Sequence, residues 1–88
     1  MENENYYREL HNESFGNREI LRKSKKCGCF YCGYIFDADK LTDADFMTEK
    51  DGRQTGVCPN CNIDSILGDG NGAEITRDLL QRMHEIYF

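Results

Sequence analysis

The sequence predicts a small α+β fold, and three observations lead there. Cys29-Phe-Tyr-Cys32-Gly33 and Cys58-Pro-Asn-Cys61-Asn62 are two Cys-x-x-Cys turns separated by 25 residues. Asp51-Gly52, between two stretches able to pair as strands, signals a β-hairpin whose favoured turn needs positive φ at both residues. Leu79, Leu80, Met83, Ile86 and Tyr87 fall on one helical arc near the end of the chain. Together they predict a ribbon-type metal domain, two knuckles plus a hairpin, flanked by an N-terminal and a C-terminal helix. Residues 1–88 read as one domain, with the ribbon at 26–67 and the C-terminal helix at 74–88, while 1–12 are expected to be partly flexible.

The knuckles carry the chemistry. Two thiolates three residues apart can grip one ion from a tight turn, and a second such turn completes a tetrahedron. Gly33 and Asn62 both tolerate the left-handed backbone that turns amides back toward the sulfurs. The assigned ligands are therefore Cys29, Cys32, Cys58 and Cys61, with one zinc ion expected and iron as the alternative. The fifth cysteine, Cys27, could replace Cys29 as a ligand, but it stands at the wrong spacing from Cys32 to form a knuckle, which favours a spare thiol. A disulfide framework is disfavoured. The chain opens Met-Glu-Asn-Glu-Asn, with no basic start and no apolar run, so a reducing, cytoplasmic setting is expected.

Composition narrows the function classes. The net charge is −5, with sixteen acidic against eleven basic residues, which argues against a general nucleic-acid binder. Arg18, Arg22, Lys23, Lys25 and Lys26 concentrate five of those eleven bases in nine residues, read as a solvated helix face and C-terminus, with a docking patch for an acidic partner as the alternative. Apolar runs long enough to span a membrane are absent. A chain this short buries only about 60–65 % of the surface it exposes when unfolded. Structural zinc supplies an apparent 10–16 kcal/mol or so in small peptides, against about 5–15 kcal/mol for the stability of whole domains. The metal is therefore expected to decide whether the chain folds.

The remaining elements follow in order. Tyr6 and Leu10 stand at helical spacing and could add a turn that packs on the body, over too short a stretch to define a helix. His11 reads as a surface or capping residue, because four sulfurs already fill the site. Ser14 is the expected N-cap of a helix reaching about Ser24, with Asn17 as the alternative start and Ile20 and Leu21 facing inward. Tyr31, Tyr34, Ile35 and Phe36 are expected to pack around the metal. Asp37, Asp39, Asp43 and Asp45 lack the spacing of a calcium loop. Asp37 is instead expected to cap a short turn from Ala38 to about Thr42 that drops Leu41 onto the core.

Pro59 preorganises the second knuckle, and Ile63, Ile66 and Leu67 are core candidates. Asp64 and Ser65 are placed to hydrogen-bond the knuckle backbone, and Asp69 to cap the turn Gly68–Gly72. That turn reads as flexible and acidic, and it is not a phosphate loop, since the Gly-Lys-Ser/Thr ending is missing. Thr76 is the N-cap of the last helix, which carries an Asp78–Arg82 pair on its outer side and His84 at the margin of its apolar arc. Tyr87-Phe88 is expected to clasp the ribbon, or, if exposed, to form a partner surface.

Two resemblances emerge from these residues. Cys29-x-x-Cys32-Gly33-Tyr34-Ile35-Phe36-Asp37 and Val57-Cys58-Pro59-x-Cys61 resemble the iron knuckles of rubredoxin over about 35 residues. The chain departs from that family in having no Trp, a single Pro, Asn62 at the second knuckle and helical flanks. A wider stretch is similar to a family of small bacterial cytoplasmic zinc-ribbon proteins. It runs from Cys27-Gly-Cys-Phe-Tyr-Cys32, through Cys58-Pro-x-Cys61-x-Ile63-Asp64-Ser65-Ile66-Leu67-Gly68-Asp69, to Ile75-Thr76 and Met83-His84 before a terminal aromatic. That resemblance implies a bacterial, cytoplasmic, metal-binding domain and implies no activity.

The function expected is a non-enzymatic structural-zinc module that binds another protein. Four thiolates leave a metal no open position for a catalytic water. The alternative is a rubredoxin-like one-electron carrier with iron at the same four cysteines. Two further readings stand behind these. One is a reactive Cys27 thiol with its pKa lowered by the nearby lysines. The other is nucleic-acid binding through the Arg18–Lys26 patch.

Overall fold

The computed structural model describes residues 4–88 and has the small α+β architecture that the sequence predicts. A three-stranded antiparallel sheet lies at its centre, in the order β2 (Ile35–Asp37), β1 (Lys26–Cys29), β5 (Ile66–Gly68). Cys27 stands opposite Phe36 on one side and Gly68 on the other, and Cys29 opposite Ile66. A separate hairpin is formed by β3 (Phe46–Thr48) and β4 (Gln54–Gly56). Helices α1 (Glu4–Asn12) and α2 (Arg18–Lys23) precede the sheet, and α3 (Arg77–Tyr87) closes the chain.

The alternation of side chains along a strand divides the core in two. Cys27, Cys29 and Ile66 face one way and pack with Leu21, Phe36 and Cys58. Phe30 and Leu67 face the other way and pack with Leu10, Ala73, Leu80 and Met83 from the helices α1 and α3 and the chain between β5 and α3. Gly28 is the point where α3 presses on the sheet. A Cβ there would come within 2.8 Å of both Ile75 Cγ2 and Leu80 Cδ1. The Cys27-Gly28-Cys29 run is thus one strand with sulfurs on one face and a bare backbone under a helix on the other.

Several expectations are corrected here. Residues 4–12 form α1, a full helix where Tyr6 and Leu10 suggest a packing turn, with Leu10 buried on the α3 side of the sheet; the expectation of a flexible start falls in part on residues 1–3, which lie outside the described residues. Ser14 does not cap α2. Its hydroxyl donates to the His11 carbonyl at 2.6 Å, and α2 begins after Asn17. Asn17 itself makes no side-chain cap, being drawn inward. Its Nδ2 donates to Ile66 O and its Oδ1 accepts from Gly56 N, both at 2.9 Å. One buried amide therefore ties the hairpin to the sheet. Asp37 likewise leaves its cap position bare and pairs with Lys26 Nζ at 2.5 Å across the β1–β2 register. The turn it precedes is shorter than expected, Ala38–Lys40, yet Leu41 does reach the core.

The hairpin turn differs from the two-residue form. Only Gly52 has positive φ (92°); Asp51 does not. Gly52 N donates to Glu49 O at 3.0 Å and Glu49 N to Arg53 O at 2.7 Å, a three-residue loop with Gly at the left-handed position. Asp51 accepts from Arg53 N at 3.0 Å and Arg53 Nε at 2.8 Å, which favours this loop over the tighter one. The Gly68–Gly72 segment is packed, with a 3₁₀ turn over Asp69–Asn71 seated on α2. A Cβ at Gly70 would lie 2.4 Å from Ile20 O. Thr76 caps α3 as expected, accepting from Leu79 N at 3.1 Å, while Ile86 faces solvent.

Candidate metal centre

Each knuckle is built by the same backbone hydrogen bonds. In the first, Gly33 N donates to Cys29 O at 2.8 Å and Cys29 N to Tyr34 O at 2.9 Å. In the second, Asn62 N donates to Cys58 O at 2.8 Å and Cys58 N to Ile63 O at 3.0 Å. Gly33 (φ 81°) and Asn62 (φ 65°) both take the left-handed conformation their sequence positions predict, and Asn62 is the one non-glycine residue to do so among those described. Glycine and asparagine are the residues that tolerate this backbone most cheaply, which is why the two turns close alike.

This geometry aims amides at sulfur. Tyr31 N lies 3.4 Å from Cys29 Sγ and Asn60 N 3.4 Å from Cys58 Sγ. The Tyr34 amide favours the ionised form of Cys32, and the Ile63 amide that of Cys61. Two side chains add to the set. The Ser65 hydroxyl is 3.3 Å from Cys29 Sγ, where it is the donor to a thiolate, and Asn60 Nδ2 donates to Cys32 Sγ at 3.5 Å. Such donors spread the negative charge that a thiolate cluster accumulates.

The four sulfurs of Cys29, Cys32, Cys58 and Cys61 all lie within 4.8 Å of one another. Cys29 Sγ is 3.7 Å from Cys61 Sγ, and Cys32 Sγ is 3.7 Å from Cys58 Sγ. A tetrahedral ion with metal–sulfur bonds of about 2.3 Å places its ligands about 3.8 Å apart. The donor set therefore fits a single tetrahedral ion of the kind that thiolates select, zinc or iron. The two cysteines that enter from the sheet and hairpin side, Cys29 and Cys58, are fully buried, Cys61 is half-buried and Cys32 is exposed.

The thiols show why an ion belongs there. At Cys32, burial opposes ionisation, but hydrogen bonds from Asn60, the Tyr34 amide and the Cys58 and Cys29 sulfurs outweigh it and bring the thiol down to about 7. Burial pushes Cys61 up to about 12, with the Ile63 amide opposing and the three neighbouring sulfurs adding to the rise. Burial raises Cys58 as well. One thiolate is readily held by these donors, whereas several together repel one another. A dication at the centre supplies the missing counter-charge.

Cys27 lies outside the cluster. It shares the strand face of Cys29 but stands two residues back along β1, among Phe36 and Gly68. Burial, followed by the negative charge of Asp69, pushes its thiol up to about 12. The expectation of a reactive, lysine-activated Cys27 is thereby overturned, because the lysines point to solvent while the sulfur faces the core.

The basic patch is also changed by its neighbours. Arg18 pairs with Asp43, donates to Gln54 and lies over the Phe46 ring; Arg22 pairs with Glu19, and Lys26 with Asp37. Asp69 ties down the backbone between them, accepting from Lys25 N at 2.8 Å and Lys26 N at 3.3 Å. Ser65 holds the first knuckle through its carbonyl, which accepts from Phe30 N at 3.0 Å, whereas Asp64 is exposed and makes none of these bonds.

Around the first knuckle the aromatic residues do not all enclose the sulfur cluster. Tyr34 stacks on Phe36 with ring centroids 5.1 Å apart, but Tyr31 is 45 % exposed and meets Phe88, itself 56 % exposed, edge-on at 4.9 Å. Tyr87 stacks on His11 at 3.9 Å, and His84 Nδ1 lies 3.1 Å from Phe30 O. The terminal aromatics thus clasp the knuckle and leave two rings facing solvent. Asn60 is a site residue that the sequence did not single out, and Asn17, expected only as a helix start, gains its inward bonds from the fold. The one available signal was the match of positions 31 and 60 between the knuckles, which marks Asn60 as a residue at the sulfurs.

Fold and site together define a zinc-ribbon-like α+β domain with a four-cysteine cluster competent to hold one metal ion. Comparison with protein-family models, with curated proteins and with solved structures gives no match for the chain. Among the described residues, no helix is long and apolar enough to cross a membrane.

Proposed function

We propose that the chain is a non-enzymatic zinc-ribbon module of the bacterial cytoplasm that holds one structural zinc ion and binds another protein. The observation that carries this reading is the set of four sulfurs within 4.8 Å of one another, two pairs of them 3.7 Å apart. Four protein ligands complete the coordination of zinc, so the ion would stabilise the fold without offering a site for substrate or water. Thiolate ligands need a reducing compartment, which supports the cytoplasm. Similarity of the Cys27–Cys32 and Cys58–Asp69 motifs to small bacterial zinc-ribbon proteins supports the source and the metal. The partner surface is the aromatic face beside the first knuckle, where Tyr31 and Phe88 expose large apolar area next to a rigid turn.

One observation favours a second reading. The paired amide-to-sulfur bonds of the knuckles also suit iron, whose charge they would tune for one-electron transfer. Native mass spectrometry with an absorption spectrum separates the two, on protein from cells replete in both metals. One zinc per chain and no colour supports the structural module. One iron with visible charge-transfer bands puts the electron carrier first, and protein that takes up neither metal overturns both. For the partner, proteins crosslinked to the native chain but lost with Tyr31→Ser and Phe88→Ser support the aromatic face. The same set recovered without the two rings removes it.

A further inference from the structure

The four sulfurs are equivalent in backbone geometry but not in access. Cys29 and Cys58 are fully buried and Cys61 is half-buried, whereas Cys32 is exposed. Cys32 also lines an open groove between the first knuckle and α3, alongside Gly33, Arg77 and Gln81. A sulfur of the other knuckle, Cys58 Sγ, lies 3.7 Å from it. One side-chain donor covers it, Asn60 Nδ2 at 3.5 Å.

From this arrangement we propose that Cys32 is an oxidative modification site for small hydroperoxides, with Cys58 as the resolving sulfur and Asn60 as the residue that sets the rate. The proposal rests on the metal-bound reading above. In the first step the Cys32 sulfur takes one oxygen from hydrogen peroxide as the O–O bond breaks. This leaves a sulfenic acid and a hydroxide that solvent protonates to water. In the second step the Cys58 sulfur attacks the Cys32 sulfur, the S–S bond forms, and a second hydroxide leaves and is protonated. Two sulfurs are oxidised by two electrons in all, peroxide is reduced to two waters, and two protons are consumed. A metal ion bound by the four thiolates would lose Cys32 and Cys58 as ligands in the same event, so its release would report the cross-link.

The geometry selects this pair over the other. Each close pair has one fully buried sulfur, but the second pair, Cys29 and Cys61, offers solvent only the half-buried Cys61, and its buried member also accepts from the Ser65 hydroxyl. A hydrogen bond to a thiolate withdraws electron density and slows its attack, so the Asn60 carboxamide restrains Cys32 while leaving it reachable. Because the cross-link joins the two knuckles, its formation would convert a metal-held domain into a metal-free one with the knuckles still tethered.

The test uses the full-length zinc-loaded protein, with metal content fixed beforehand by native mass spectrometry. Excess hydrogen peroxide is added, zinc release is followed with a chromogenic chelator, and free thiols are blocked at intervals for disulfide mapping. A Cys32–Cys58 disulfide appearing in step with zinc release is the expected result. Asn60→Ala and Asn60→Asp should both speed release, by a factor between about 2 and 10, that of losing one ordinary hydrogen bond. Cys27→Ser should release zinc at the native rate. A first disulfide between Cys29 and Cys61, release without pair preference, or zinc that survives peroxide overturns the proposal and leaves the structural-zinc reading intact. Unchanged or slower release in both Asn60 variants overturns the assignment of Asn60. A chain that binds no zinc at all overturns the metal reading and this proposal together.

Discussion

The two knuckles share one backbone design and differ in what holds them. The first grows directly out of β1, the central strand of the sheet, and its neighbours fix it from three sides. Phe30 N donates to Ser65 O, Phe30 O meets His84 Nδ1, and the Phe30 ring is buried with Leu80 and Met83 on the far face of the sheet. The second is entered through Val57, whose amide donates to Asp45 O at 2.7 Å, and it carries exposed Pro59, Asn60 and Asn62 before the chain reaches β5. Both turns have exposed tips, but the first backs onto the core through buried Phe30, a packed corner, whereas the matching position of the second is exposed Pro59. The difference teaches that a knuckle's shape is local, whereas its persistence without metal depends on the surroundings.

Removing the metal tests this most severely. Complete chelation should abolish the folded circular dichroism signal, because a contribution of about 10–16 kcal/mol equals or exceeds the stability of most domains. Cys58→Ser should do the same, while Cys27→Ser keeps one metal per chain by native mass spectrometry. An unchanged spectrum after chelation would mean that the packing under the first knuckle holds the fold alone. Equal metal loss in both cysteine variants would instead place Cys27 among the ligands.

A smaller effect is expected from the support beneath the first knuckle. Leu80 is buried between α3 and the sheet over Gly28, so Leu80→Ala should lower stability to denaturant by about 2–5 kcal/mol. Metal stoichiometry should stay at one, since no sulfur moves with that side chain. Loss of both stability and metal would show that the packed corner and the site are one unit.

Exchanging the turn residues sharpens the comparison further. A Cβ at Gly33 meets nothing within 4 Å, so Gly33→Ala costs only its left-handed strain, about 1–2 kcal/mol by thermal or chemical unfolding. Asn62→Gly relieves such strain and should change stability by less than about 1 kcal/mol. A larger loss at Asn62 would reveal a side-chain role in the second knuckle.

The smallest effect concerns pH. The Cys27 thiol, ordinarily near 9.0, is pushed up to about 12 by burial and by Asp69. Below pH 9 it is protonated in folded and unfolded chains alike, and its contribution is fully present. Between about 9 and 12 only the unfolded chain ionises, so stability falls as pH rises. Cys27→Ser should flatten the alkaline limb of a stability profile; an identical slope in both proteins would mean that Cys27 is not held neutral.

Much of the site was legible in the sequence because a knuckle is a short-range object. Cys-x-x-Cys spacing, with Gly33 and Asn62 following, fixes which sulfurs can share an ion and how each turn closes, and the structure brings those four together. The last helix was legible for a similar reason, since Thr76 and the apolar arc lie within a few turns of one another. Residues with two possible partners were not legible. Asn17 at a helix start and Asp37 before a turn both have the chemistry of a cap, yet each finds a partner from another strand. Ser14 and Asp51 kept to local bonds, but to different ones from those their positions suggest.

The sequence by itself determined the composition of the metal site, the handedness of its two turns and the α+β class, all set by chemistry within five or six residues. Tertiary structure alone decided the rest. It placed Cys27 in the core and out of the cluster, because strand alternation and a two-residue offset put it beside Phe36 and Gly68. It folded residues 4–12 into a helix by giving Leu10 an apolar surface to cover, which no isolated nine-residue segment has. It also set which sulfurs are buried and which is exposed, since access depends on everything packed around a residue and not on its neighbours in the chain.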